Sequence, residues 1–134
     1  MRLKDCHNFE DFRKLAKKKL PSPIFHYIDG GSDDEVTLNR NTNSFNDYDL
    51  VPSVLNDVSN IDMSTTVLGQ KIGFPLFPAA TAMHRLYHHE GERASAKAVE
   101  KMGTIFGTST MGTVSIEEIA KVNKGPKLFQ LYIH

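Results

Sequence analysis

The chain has no tryptophan, a single cysteine (Cys6) and no excess charge of either sign, with 16 Lys and Arg against 16 Asp and Glu in 134 residues. One cysteine excludes an internal disulfide and suits a reducing compartment. Balanced charge excludes a global field drawing the protein to nucleic acid or an anionic membrane. No apolar run approaches the ~18 residues of a membrane span. The opening Met1-Arg2-Leu3-Lys4-Asp5 is charged, with no signal-type apolar stretch behind it. These absences imply a cytoplasmic protein, at most peripheral to a membrane, with no nucleic-acid partner. Lys17 to Lys19 read as a solvated helix face.

Helical punctuation comes first. Asn8 is placed to cap a helix whose apolar positions are Phe9, Phe12, Leu15, Ala16 and Leu20. Pro21 ends it, Ser22-Pro23 starts a second through Ile24, Phe25, Tyr27 and Ile28, and Gly30-Gly31 closes that one. Ser32 and Glu35 have capping-box spacing, predicting a third helix to about Arg40. Residues 42–73 read as extended and loop-like. Thr65 to Leu68 and Lys71-Ile72 form a hairpin around Gly69-Gln70.

After Gly73 strands and helices alternate. Phe74 to Ala79 is a short apolar run, read as a strand buried on both faces. Glu90 to Met102 is a helix and Thr104 to Thr108 a second strand. Ser115 and Glu118 box the start of a helix over Ile116 to Val122, and Lys127 to Ile133 is a third strand. This order implies parallel strands joined by right-handed crossovers. The predicted organisation is a helical and extended segment over 1–73, then the first strands and helices of a barrel over 74–134. A closed barrel of this kind needs eight strands, so the reading is the front part of a longer protein.

Ligands of parallel α/β proteins lie beyond the carboxyl ends of the strands. Here those ends run into Ala80-Thr81-Ala82, into Ser109-Thr110, and through Gln130 and Tyr132. Alternation puts Leu128, Gln130 and Tyr132 on one face of the third strand, and its polar character points that face inward. Serine and threonine at strand ends also serve backbone groups without further function, and Tyr27 on an apolar helix reads as core. His84 and His88 have metal-pair spacing but fall in a loop, so no metal site is expected. Gly103 to Gly112 lacks the Gly-Lys-Ser/Thr of a nucleotide-phosphate loop.

Leu20-Pro21, Tyr27, Gly31, Glu35 to Leu38, Asn41, Pro52, Val54-Leu55, Asp57-Val58, Asp62 to Thr65, and Leu68-Gly69 occur in a colinear pattern. Ala80 to Ala82, Glu90-Gly91-Glu92, Ser109-Thr110 and Phe129 to Tyr132 continue it. As a set this resembles the FMN-dependent α-hydroxy-acid oxidases and dehydrogenases. The resemblance implies the N-terminal part of a (β/α)8 TIM barrel, about three parallel strands preceded by a short helical segment, with FMN at the strand ends. It implies that Tyr27 binds the substrate carboxylate and that Tyr132 hydrogen-bonds and orients the substrate hydroxyl. Ala80, Thr81 and Ala82 would approach the flavin through backbone, and Ser109 and Gln130 would hydrogen-bond it.

The implied reaction is oxidation of an L-2-hydroxy acid to the 2-keto acid, with electrons passing on to a cytochrome, quinone or oxygen. The full-length protein is expected to be a homo-oligomer. Ser109-Thr110-Met111 and Ala80 are similar to the cytochrome-linked lactate dehydrogenases, favouring L-lactate over the glycolate of the oxygen-using oxidases. None of His7, His26, His84, His88, His89 or His134 matches the family's general-base histidine. That histidine, the carboxylate-binding arginines and the flavin-activating lysine belong to later strands, so these residues alone are expected to be inactive. The competing reading is a non-catalytic binding or assembly module pairing its open strand edge with another chain.

Overall fold

The computed structural model describes residues 2–133; His134, one of the six histidines considered above, lies outside them. The chain divides into two compact units, 1–56 and 57–134.

In the first unit α1 spans Phe9–Lys19 and α2 spans Ser22–Asp29. The Asn8 side chain accepts from the Asp11 amide at 2.9 Å, the capping bond its position predicts. Leu15 and Phe25 are buried. Arg13 donates to both carboxylate oxygens of Asp29 at 2.6 and 2.9 Å, fixing α1 to α2 in the two-pronged geometry that guanidinium favours.

The third helix, α3, spans Val36–Asn43 and corrects the capping-box expectation. Glu35 sits in the left-handed region at φ 57°, its carboxylate turned back to the Gly31 amide at 3.1 Å. The Ser32 carbonyl, not its hydroxyl, takes the Glu35 amide. Gly31 is needed because a Cβ there would lie 3.0 Å from the Leu38 Cβ. Gly30 closes α2 at φ −85°, so its left-handed freedom is unused.

In the second unit β1 (Thr65–Val67) pairs antiparallel with β2 (Gln70–Ile72). The turn is Leu68-Gly69, both at positive φ as two-residue hairpins prefer, and Gln70 pairs with Val67 rather than turning.

The strand expected over Phe74 to Ala79 does not form. Pro75 and Pro78 each remove a donor from a six-residue stretch, which a ladder on that segment cannot spare. The segment is held instead by separate contacts. Gly73 N donates to Gly103 O at 2.8 Å, the Thr104 hydroxyl donates to Leu76 O at 2.6 Å, and Ala80 rests on Gly107.

The remaining elements are α4 (Glu92–Lys101), β3 (Phe106–Ser109), α5 (Ile116–Val122) and β4 (Lys127–Gln130). β3 and β4 are parallel, Phe106 opposite Lys127 through Ser109 opposite Gln130, with α5 as the crossover. Ala96, Val99, Phe106, Val114 and Ile119 form the core between sheet and helices. Ser115 caps α5 through the Glu118 amide at 3.2 Å. The other half of that box is absent, because the Glu118 carboxylate binds Arg93 at 2.6 Å and ties α5 to α4. Among the described residues no helix is long and apolar enough to cross a membrane.

Candidate active site at the carboxyl ends of the parallel strands

β3 and β4 end side by side, so their last residues, Ser109 and Gln130, are register partners. The Ser109 hydroxyl is buried; it donates to Gln130 Oε1 at 3.2 Å and accepts from the Met111 amide at 3.2 Å. With Oε1 engaged in this way, the Gln130 amide nitrogen is left to donate away from Ser109.

The third strand was expected to run to Ile133 but stops at Gln130, and Thr110 is the reason. Its amide and hydroxyl both donate to the Gln130 carbonyl, and its hydroxyl accepts from the Tyr132 amide at 3.1 Å. A side chain has taken over the ladder, because β3 turns away here through Gly112 N to Ser109 O at 3.0 Å. Residue 132 is therefore held at the strand end by its backbone, with its side chain half-exposed.

Ala80 to Ala82 lie beside this pair of ends. Gly107, in the middle of β3, allows the approach: a Cβ there would stand 3.1 Å from Ala80 N and 3.4 Å from Ala80 Cα. The Thr81 side chain is exposed and bonds only its own segment, to Ala79 O at 3.4 Å. Ala79, Ala80, Gly107, Leu128 and Gln130 line part of an open hollow of about 400 Å³. The predicted residues Ala80, Ser109 and Gln130 are thus brought together, with Tyr132 anchored next to them. Tyr27 belongs to the first unit, on α2, where its side chain is 58% exposed.

Two further residues shape the site. Thr110 terminates β4. Glu92, at the start of α4, is 1% exposed and shares one helix stripe with buried Ala96 and Val99. An acid on an apolar stripe at i, i+4, i+7 was the available signal. Burial pushes the Glu92 pKa up, but hydrogen bonds from the Thr113 amide and hydroxyl, its own amide and the His84 amide outweigh this and hold it below the ordinary value. His84 begins a 3-10 turn, its ring 3.3 Å from the Ser95 hydroxyl, and the His88 and His89 rings stack with centroids 4.4 Å apart. Among the described residues no cluster of three or more His, Cys, Asp or Glu could hold a metal.

Comparison with known proteins gives the family. The chain is 42% identical to glycolate oxidase of Spinacia oleracea over 127 residues, covering 95% of this chain and 34% of that protein. It is 43% identical to an L-lactate dehydrogenase of Vibrio parahaemolyticus, covering 92% of this chain and 32% of that one. Its backbone matches a soluble mutant of the membrane-associated (S)-mandelate dehydrogenase of Pseudomonas putida at TM-score 0.85 and 36% identity, over 94% of this chain and 36% of that one. It therefore spans about a third of the length of the relatives it matches. The family profile described as FMN-dependent dehydrogenase matches residues 16–134, and the chain belongs to that family, whose cofactor is FMN.

Proposed function

We propose that these residues are the N-terminal part of an FMN-dependent enzyme that oxidises an L-2-hydroxy acid to its 2-keto acid, with L-lactate as substrate and an acceptor other than oxygen. The observation that carries this reading is the convergence of Ser109, Gln130 and the Ala80 backbone at neighbouring strand ends in a member of this family.

The residues present fit the cofactor. Gly107 leaves room for the Ala80 backbone to lie close over the sheet, and Gln130 keeps an amide N–H pair for an acceptor atom. Ser109 acts through Gln130, holding its amide in one orientation. In this reading Ala80, Thr81 and Ala82 present backbone to the ring and Gln130 supplies the hydrogen bond. FMN, when bound, supplies the two-electron acceptor. The chain's own part is placement: the Tyr132 hydroxyl orients the substrate hydroxyl and Tyr27 binds the carboxylate. The general base and the arginine clamp are assigned to later strands of the complete barrel.

Similarity alone does not rank lactate above glycolate, since the identities to the two relatives are 43% and 42%. The lactate assignment rests on Met111 and Ala80. The test is anaerobic reduction of the full-length yellow holoprotein by L-lactate, glycolate and (S)-mandelate in turn. Reoxidation by oxygen and by cytochrome c follows. Bleaching by L-lactate and slow reoxidation by oxygen are expected. Fastest bleaching by glycolate with rapid oxygen uptake would instead establish an oxidase, and a colourless full-length protein would remove the flavin reading altogether.

A further inference from the structure

A buried carboxylate joins the two turns that follow the flavin-facing segments. Glu92 Oε1 accepts from the Thr113 amide at 2.7 Å and from the His84 amide at 3.3 Å, and Oε2 accepts from the Thr113 hydroxyl at 2.7 Å. The same Thr113 hydroxyl accepts from the Arg85 amide at 3.2 Å, and the Met83 amide donates to the Met111 carbonyl at 3.0 Å. Residues 83–85 and 111–113 are therefore cross-linked, with Glu92 and Thr113 at the centre. Met83 lies just beyond Ala80 to Ala82, and Met111 just beyond Ser109. Helix α4 in turn is fixed to the core through Ala96 and Val99 and to α5 through Arg93.

A carboxylate suits this junction because all three groups that meet it are donors and it accepts without donating. Removing it takes the acceptor away from two backbone amides and a hydroxyl at a part-buried junction, which loosens the tie between the two turns.

We propose that Glu92, acting through Thr113, is a positioning residue for the cofactor: it fixes the separation between the Ala80–Ala82 backbone and the Ser109–Gln130 pair. This rests on the flavin reading above. A purely structural role would instead lower thermal stability while leaving the folded fraction's affinity for FMN intact.

The experiment uses the full-length protein and FMN itself. Dissociation constants are measured by flavin fluorescence well below each variant's unfolding temperature, together with the visible circular dichroism of bound FMN. Glu92→Ala and Thr113→Val are expected to bind FMN about tenfold more weakly, the size of losing one or two hydrogen bonds at a part-buried junction, with an altered visible dichroism. Thr113→Ser, which keeps the hydroxyl, is expected to restore wild-type binding. If Glu92→Ala does not fold, the Thr113→Val and Thr113→Ser pair decides. Folded Thr113→Val with FMN affinity within twofold of wild type would overturn the proposal, as would failure of Thr113→Ser to restore it. Wild-type protein that binds no FMN would remove the flavin reading itself, an outcome visible before any variant is compared.

Discussion

Replacing Gly107 by alanine probes how closely the Ala80 backbone must lie on β3. The new Cβ would stand 3.1 Å from Ala80 N, and 3.4 Å from both Ala80 Cα and Ala80 Cβ. Relief to the roughly 3.5 Å of an ordinary contact moves the Ala80 backbone by about 0.4 Å. Overpacking of this order costs about 1–3 kcal/mol. Exchanging glycine for alanine within a strand returns about 0.5–1 kcal/mol. The net expectation is a loss of about 0–2.5 kcal/mol, readable as a lowered urea midpoint with unchanged slope.

An effect on FMN is expected as well, because under the proposed function the displaced atoms are those that would face the cofactor. A displaced first contact typically costs several-fold, so about a tenfold rise in the FMN dissociation constant is expected. Adding Ala80→Gly removes the Cβ at 3.4 Å but leaves the nitrogen at 3.1 Å. The double variant should therefore recover less than half of the lost affinity. Full recovery, or a Gly107→Ala protein that binds FMN as tightly as wild type, would refute the claim that this backbone approach shapes the site.

Ile119 is fully buried at the centre of the core, so Ile119→Ala should cost about 2–5 kcal/mol by chemical denaturation. In steady-state kinetics of the full-length enzyme, Tyr132→Phe should lower kcat and Tyr27→Phe should mainly raise KM; if neither parameter moves, both assignments are wrong. Glu92 has a depressed folded pKa, so its stabilisation is present above the unfolded value and is lost as pH falls through the folded one. Urea midpoints followed from about pH 6 to about pH 3 should therefore fall more steeply in wild type than in Glu92→Gln.

Much of the local structure was legible because its causes are local. The Asn8 cap, the Pro21 stop and the Ser115 cap rest on residues a few positions apart, and the parallel order follows from short segments alternating along the chain. Two of the misreadings share one physical origin. Where a side chain had two possible partners, spacing chose the nearer one. Glu35 turned to the Gly31 amide instead of boxing with Ser32, and Glu118 went to Arg93, 25 residues away, instead of back to its cap. The run from Phe74 to Ala79 has the composition of a buried strand, yet its two prolines were visible and argued against a ladder.

By itself the sequence determined the family, the alternation of strands and helices after Gly73, and the residues gathered at the strand ends, since each depends on identity and order along the chain. Only the tertiary structure decided how those residues are held. Thr110 ends β4 by reaching across to the Gln130 carbonyl and the Tyr132 amide, Gly107 admits the Ala80 backbone, and Glu92 accepts from two turns that lie 8 and 21 residues away in the chain. Each of these depends on a distance between segments brought together by the burial of Phe106, Val114 and Ile119, and no spacing within the chain encodes it.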